Sequence, residues 1–420
     1  MDNNDSTQKA YAFSLLRVIF IVIAALFLPR VFLIWESKSE PTITTTIDTA
    51  VKTEISAQKK AIDTKEMQKG SVHAVLYTNH MWKDKDGLGA YELLNKKAIM
   101  IDKIVWCGDE MIYQEQASHF PMAPTILDEN KRKNNELMMQ TTSLCVIDFM
   151  ISSIEESHSY AVLLQLIAHA AQLNKEVLII DRPNLVSTCI EGFTEIPITL
   201  SANDANEIPT HNGMTTAELA RYFNSYLLQK PAKLTIIPIP GYTRPIQRVS
   251  ISLCSDMPKI CYRTFMQALE YVAPLDVGIN NDKQCYRIAL PEQTSLTKQQ
   301  WYELRSMLKR WGIQSSYYRY FNQEQNGFYT GLHLSTVYTD TSSSLNALIE
   351  VLTFLKKTSV ELTFKHEFDK AVGSSLVREY VQGKIEWQEF ETQVNKKLKL
   401  FFNKATTAFI YKPFPRLLMV

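Results

Sequence analysis

The sequence predicts an α/β fold: a Rossmann-like parallel-sheet domain over 71–248, a smaller α+β domain over 249–420, and an N-terminal membrane anchor ahead of both. Three observations predict it. The apolar run Val177-Leu178-Ile179-Ile180 empties directly into Asp181-Arg182-Pro183-Asn184, which reads as a strand buried on both faces with polar groups at its carboxyl end, where open α/β sheets hold ligands. Runs of this kind alternate with helix-like stretches up to about residue 238. Beyond 248 the alternation stops, so strands and helices there are expected to segregate.

Taken in order, strands are expected at 73–78, 101–107, 144–150, 177–180 and 234–238. Between the third and fourth, Val162, Leu163, Leu166, Ile167 and Ala170 recur at helical spacing, making a strand-helix-strand crossover, the unit that builds a parallel sheet. Thr215 followed by Glu218 is a capping-box signature, so a helix should open at 215 and run to 229. The second domain is expected to have strands at 284–290, 316–321 and 328–338, and helices at 296–311, 343–356, 368–381 and 387–402.

Near the N-terminus, residues 11–35 are almost wholly apolar, broken by Arg17, Pro29 and Arg30. With its flanks this run reaches the ~20 residues a spanning helix needs, provided the arginines snorkel. Lys9 and Arg17 precede its inner stretch, Val18 to Leu28, which puts residues 1–36 down as cytoplasmic tail plus anchor and the body on the extracytoplasmic side. A cleaved signal peptide is the rival reading, but no small-x-small site follows the run. Residues 37–70, rich in Thr, Ser, Lys, Glu and Gln, read as a linker.

Composition narrows the function. At 420 residues and 48.2 kDa the chain is long enough for two full cores. A net charge of +1 offers no electrostatic basis for nucleic-acid binding. With 13 glycines and no G-x-G-x-x-G or Walker sequence, phosphate-cradling loops and a nucleotide cofactor are disfavoured. The six cysteines make no C-x-x-C pair; Cys107 and Cys145 read as buried thiols, and Cys254 and Cys261 as candidates for a short disulfide loop if the body is exported. The eight histidines form no H-E-x-x-H set, so neither a metal nor another cofactor is expected.

Several stretches carry a family resemblance. They are Asp181-Arg182-Pro183-Asn184, Ile208 through Thr215 running on to Glu218-Leu219-Ala220, Leu234 through Tyr242, Gly331-Leu332-His333-Leu334, and Phe368-Asp369 with Gly373. In this order and spacing, over roughly 70–415, the chain resembles the bacterial exo-β-N-acetylmuramidase family. That resemblance implies glycoside hydrolysis on peptidoglycan-derived sugar chains, with no cofactor.

Such chemistry needs an acid for the leaving oxygen and usually a second carboxylate. The family's phenylalanine-glycine-proline-glutamate-histidine-glycine signature corresponds here to Cys107 through Ile112, so the resemblance makes Glu110 the general acid. Asp148 or Glu191 is the second carboxylate, and Asn79, Asp181, Arg182, Asn184 and Asn212 are the substrate-positioning candidates. The sequence also departs from the family. Met111 stands where the signature has histidine, and Met150, Ile151 and Glu155 replace polar groups after the third strand. An apolar side chain neither accepts a proton nor orients a hydroxyl, so a relative that binds glycan or a protein partner without turnover is the alternative. Against these roles stand plainer ones: Asp181 and Arg182 as loop caps, Glu110 as a solvated carboxylate, and His211, one position before the family's histidine, as a surface loop residue.

Overall fold

The computed structural model describes residues 72–80, 88–107, 120–127, 139–150, 157–184, 189–194, 196–198, 206–244, 265–280, 285–336 and 343–420. All of these belong to the compact unit Lys69–Val420. The expected anchor at 11–35, the linker, Glu110, Cys254 and Cys261 lie outside the described residues. Among the described residues no helix is long and apolar enough to cross a membrane.

In chain order the first half carries β1 (Val72–Thr78), α1 (Ala90–Lys96), β2 (Ile99–Trp106), β3 (Thr125–Ile126), β4 (Leu144–Asp148), α2 (Ser157–Gln172) and β5 (Glu176–Ile180). There follow β6 (Cys189–Ile190), β7 (Ile196–Ile198), β8 (Asn206–Ile208), α3 (Thr216–Tyr226) and β9 (Lys233–Ile237). The main sheet is parallel, in the order β3-β2-β1-β4-β5-β9. Successive side chains divide between its two faces, as a period of two requires. Val75, Tyr77, Cys145, Ile147, Val177 and Ile179 join the large core that includes α2 and α3, while Ala74, Leu76, Val146, Leu178 and Ile180 pack with Ala90 and Leu94 of α1. Burial on both faces explains why these strands read as continuous apolar runs. Cys107 and Cys145 are buried free thiols, as expected. Thr215 and Glu218 form the predicted capping box at the start of α3.

The second half carries β10 (Val272–Ala273), β11 (Asp276–Asn280), β12 (Cys285–Pro291), α4 (Lys298–Arg310), β13 (Ile313–Asn322), β14 (Gly327–Thr336) and α5 (Ser344–Lys357). After them come β15 (Thr363–Phe364), α6 (Glu367–Val372), α7 (Leu376–Gln382), α8 (Trp387–Ala405) and β16 (Arg416–Leu417). Here β11-β12-β14-β13 make an antiparallel sheet. Ile288, Leu290, Leu332 and Leu334 turn into the same core as Trp301, Leu304 and Leu308 of α4. The strands β12 and β14 approach so closely that a Cβ on Gly331 would lie 2.0 Å from the Ile288 carbonyl oxygen, which excludes any other residue there.

One expected element is corrected. The single helix at 368–381 is two, α6 and α7, because Gly373 adopts a left-handed conformation (φ +88°) that caps the first. The chain end then returns to the first half, where β16 pairs in parallel with β6. Gly213 admits that return: its φ is +64°, and an added Cβ would meet Pro415 Cβ at 2.8 Å.

Candidate functional site

The strand order reverses direction between β1 and β4, and ligands of open α/β sheets bind outside the carboxyl ends at such a switch point. Thr78 and Asp148 face each other there as register partners. The two loops beyond are clasped by Asn79, whose side-chain amide donates to the Met150 carbonyl (3.1 Å) and accepts from the Met150 N–H (2.9 Å). Thr78 Oγ1 donates to the His80 carbonyl at 2.9 Å, fixing the next residue. Asp148 Oδ1 then lies 2.6 Å from Arg182 Nε and 3.3 Å from His80 Nε2, and all three side chains are buried. Burial alone disfavours the carboxylate, but the Arg182 and His80 charges and hydrogen bonds outweigh it and hold Asp148 well below the usual carboxylate range. Asp148 is therefore a fixed anion, suited to stabilise positive charge and unsuited to donate or take up a proton.

Asp181, at the end of β5, turns toward the start of α3. Its Oδ1 accepts from the N–H groups of Arg182 (2.9 Å) and Ala217 (2.8 Å), and its Oδ2 from Thr215 Oγ1 (2.9 Å). It also shares a hydrogen bond with Tyr411 from the returning chain end. Burial pushes its carboxyl up to about 7; the bonds from Ala217, Tyr411 and Thr215 work against this, and the neighbouring Glu218 charge adds to it. A carboxyl raised on folding contributes stability that is complete below its unfolded value and is lost as pH rises through about 7. Asp181→Asn is thus expected to gain on the wild type between pH 5 and pH 8, by on the order of 2–4 kcal/mol at most. Urea melts at the two pH values check this, and an equal difference at both refutes it.

Beside it Glu218, 0 % exposed, pairs with Arg244 and accepts from the Ile410 and Tyr411 N–H groups (2.8 and 3.2 Å). Arg244 donates in turn to the Tyr411 carbonyl at 2.8 Å. The capping box read from sequence is one corner of a buried network tying the chain end to the parallel sheet.

The remaining candidates occupy the loop before α3 and its surroundings. Asn184 Nδ2 donates to the Met214 carbonyl (3.0 Å); Asn212 donates to Tyr160 Oη (3.1 Å) and accepts from the Met214 N–H (3.0 Å). His211 is not a surface residue: it is 3 % exposed, and its Nδ1 lies 2.8 Å from Glu191 Oε1. The expectation failed because Glu191 is 20 residues away in sequence and reaches His211 through a β-bridge between the two residues. Glu191 also accepts from Ser343 Oγ (2.6 Å), Ser344 Oγ (2.9 Å) and the Ser344 N–H (3.2 Å), all at the N-terminus of α5.

The fold thus gathers Asn79, Asp148, Asp181 and Arg182 on one rim of the parallel sheet, with Asn184 beyond the same strand. Glu191 and Asn212 belong to the neighbouring loop layer. Glu110 and the departures at 111, 151 and 155 lie outside the described residues. Sequence reasoning missed His80, although its place directly after the first apolar run was a usable signal.

Comparison with known proteins agrees with this architecture. The model described as exo-beta-N-acetylmuramidase NamZ, N-terminal, matches residues 126–254. A crystal structure of a DUF1343 family protein from Bacteroides fragilis NCTC 9343 superimposes with a TM-score of 0.62 at 19% identity, covering 85% of this chain and 98% of that one. A second DUF1343 protein from the same organism gives 0.56 at 18%, covering 84% and 98%. No curated protein matches the sequence. At these identities the two structures speak for the fold, and the matched segment spans β3 through β9. Over that segment the chain is similar to the exo-β-N-acetylmuramidase NamZ family, at the distance of a divergent relative.

Proposed function

We propose that this protein binds peptidoglycan-derived glycan at the rim of its parallel sheet and hydrolyses it weakly or not at all. One observation carries the reading: each described carboxylate at or near the rim is already committed. Asp148 is neutralised by Arg182, Asp181 caps α3, and Glu191 anchors α5. Glycoside hydrolysis by two carboxyl groups needs a second one free to act as base or nucleophile, about 5–9.5 Å from the acid. Losing one transition-state hydrogen-bond donor costs ~10²–10³ in rate, and Met111, Met150, Ile151 and Glu155 replace several polar groups of the family pattern.

The second reading is an active exo-β-N-acetylmuramidase with Glu110 as acid. It is favoured by Asp148, an ionised carboxylate two strands from the end of β2, after which Glu110 comes. Release of chromophore from a chromogenic N-acetylmuramic acid glycoside separates the two. Little or no release, with glycan still bound, is expected; strong release abolished by Glu110→Gln would establish the second reading instead.

The apolar run at 11–35 supports a single-pass anchor that holds the body at the outer face of the cell membrane. The protein is then expected in the membrane fraction, and a soluble product beginning near Ser37 would rule the anchor out.

A further inference from the structure

We propose that the exposed face of α8 docks the protein body on an anionic phospholipid surface, its lysines meeting the headgroup phosphates and Leu400 entering between them. Charge is unevenly placed along the chain. From Val394 to Val420 there are five lysines and Arg416 and no acidic residue, although the net charge of the whole is only +1. Positive charge gathered on one segment of a near-neutral chain draws anionic partners to that segment.

Helix geometry puts this charge on one side. At ~100° per residue, Lys396, Lys397, Lys399, Leu400 and Lys404 fall within roughly 160° of arc. All five are exposed, while Val394, Leu398, Phe401 and Ala405 are buried on the opposite side. Compensation of the helix dipole accounts for Lys404, the basic residue of the last turn. It does not account for Lys396, Lys397 and Lys399, which lie before that turn, where the effect has fallen off. Among the described residues Lys396, Lys399 and Lys404 enter no ion pair.

Leu400 decides the kind of partner. It is 57 % exposed, with Lys396 and Lys404 one turn to either side. A lone exposed leucine is ordinary. Among lysines it is different, because their apolar stems can lie along lipid while the ammonium heads stay level with the phosphates, the arrangement suited to a bilayer interface. A soluble polyanion would engage the lysines and leave Leu400 in water.

The N-terminal apolar run could hold the full chain on any bilayer, so the readout has to be local to α8. The full chain is mixed with vesicles of phosphatidylcholine, alone or with phosphatidylglycerol added, and the acylation rate of each lysine is read by mass spectrometry. Lys396, Lys399 and Lys404 should react roughly fivefold more slowly on the anionic vesicles only, the gain expected from even one lysine at a charged surface. That protection should vanish in about 1 M salt, where the screening length falls to ~3 Å. Leu400→Ser should lose most of it, since burying a leucine side chain favours contact by roughly tenfold or more. Equal rates on the two kinds of vesicle, protection unchanged in Leu400→Ser, or equal protection by soluble polyphosphate without vesicles overturns the inference. None of these outcomes bears on glycan binding, which the chromogenic glycoside tests, or on the anchor, which fractionation tests.

Discussion

Arg244→Met is expected to destabilise the protein by about 3–5 kcal/mol, the range for removing one partner of a buried ion pair. The substitution leaves Glu218 inside the protein with its charge uncompensated. Its carboxylate caps the α3 N-terminus and accepts from the Ile410 and Tyr411 N–H groups, so it is held in place beside the missing cation. Methionine fills most of the space against Tyr242 and Phe409, whose rings lie within 6 Å of the guanidinium carbon (5.8 and 5.9 Å). The loss therefore reports the charge. The companion variant Glu218→Gln/Arg244→Met should recover part of it, since a neutral pair removes the stranded anion and glutamine still accepts from α3. Urea unfolding of the two variants measures the coupling. A single-variant cost below about 1 kcal/mol would mean that Glu218 finds water or another cation there.

What was legible in the sequence follows from how local its causes are. Five of the six parallel strands announce themselves as apolar runs, and α3 because Thr215 and Glu218 are three residues apart. Asp148, Asp181 and Arg182 could be assigned to the rim, since strand ends follow from strand runs. Their partners could not be assigned. Whether Asp181 waits for a ligand or caps a helix depends on Ala217 and Tyr411, and Asn79 looks like a binding residue until Met150, 71 positions on, takes both ends of its amide. His211 was misplaced for the same reason: polarity in a loop suggests solvent, and only the tertiary fold brings it a buried carboxylate. Gly373 was legible in principle, as a glycine interrupting a helical run, and its left-handed cap splits the helix there.

Glu191→Gln tests the most distant of these contacts, and the expected loss is about 2–4 kcal/mol near neutral pH. Glu191 sits before the first turn of a 14-residue helix, where the unsatisfied N–H groups and the helix dipole favour negative charge. It also joins Ser343 and Ser344 to His211 across more than 130 residues of chain. Burial opposes the charge, but His211, Ser343 and Ser344 hold the carboxyl below its ordinary value. A depressed carboxyl contributes stability that is present above its unfolded pKa and lost as pH falls through the folded one. The wild type should therefore outlast the variant at pH 6–7, and the gap should close in acid, below about pH 4. Glutamine retains the size and an acceptor for one serine, so the difference isolates the charge. Amide exchange should speed up first in α5, whose N-terminus the charge secures, and a gap unchanged from pH 7 to pH 3 would refute the assignment. The result also bears on catalysis. If Glu191 anchors α5, loss of glycan turnover in this variant would accompany a loosened helix, whereas turnover lost with α5 exchange unchanged would make Glu191 the second carboxylate after all.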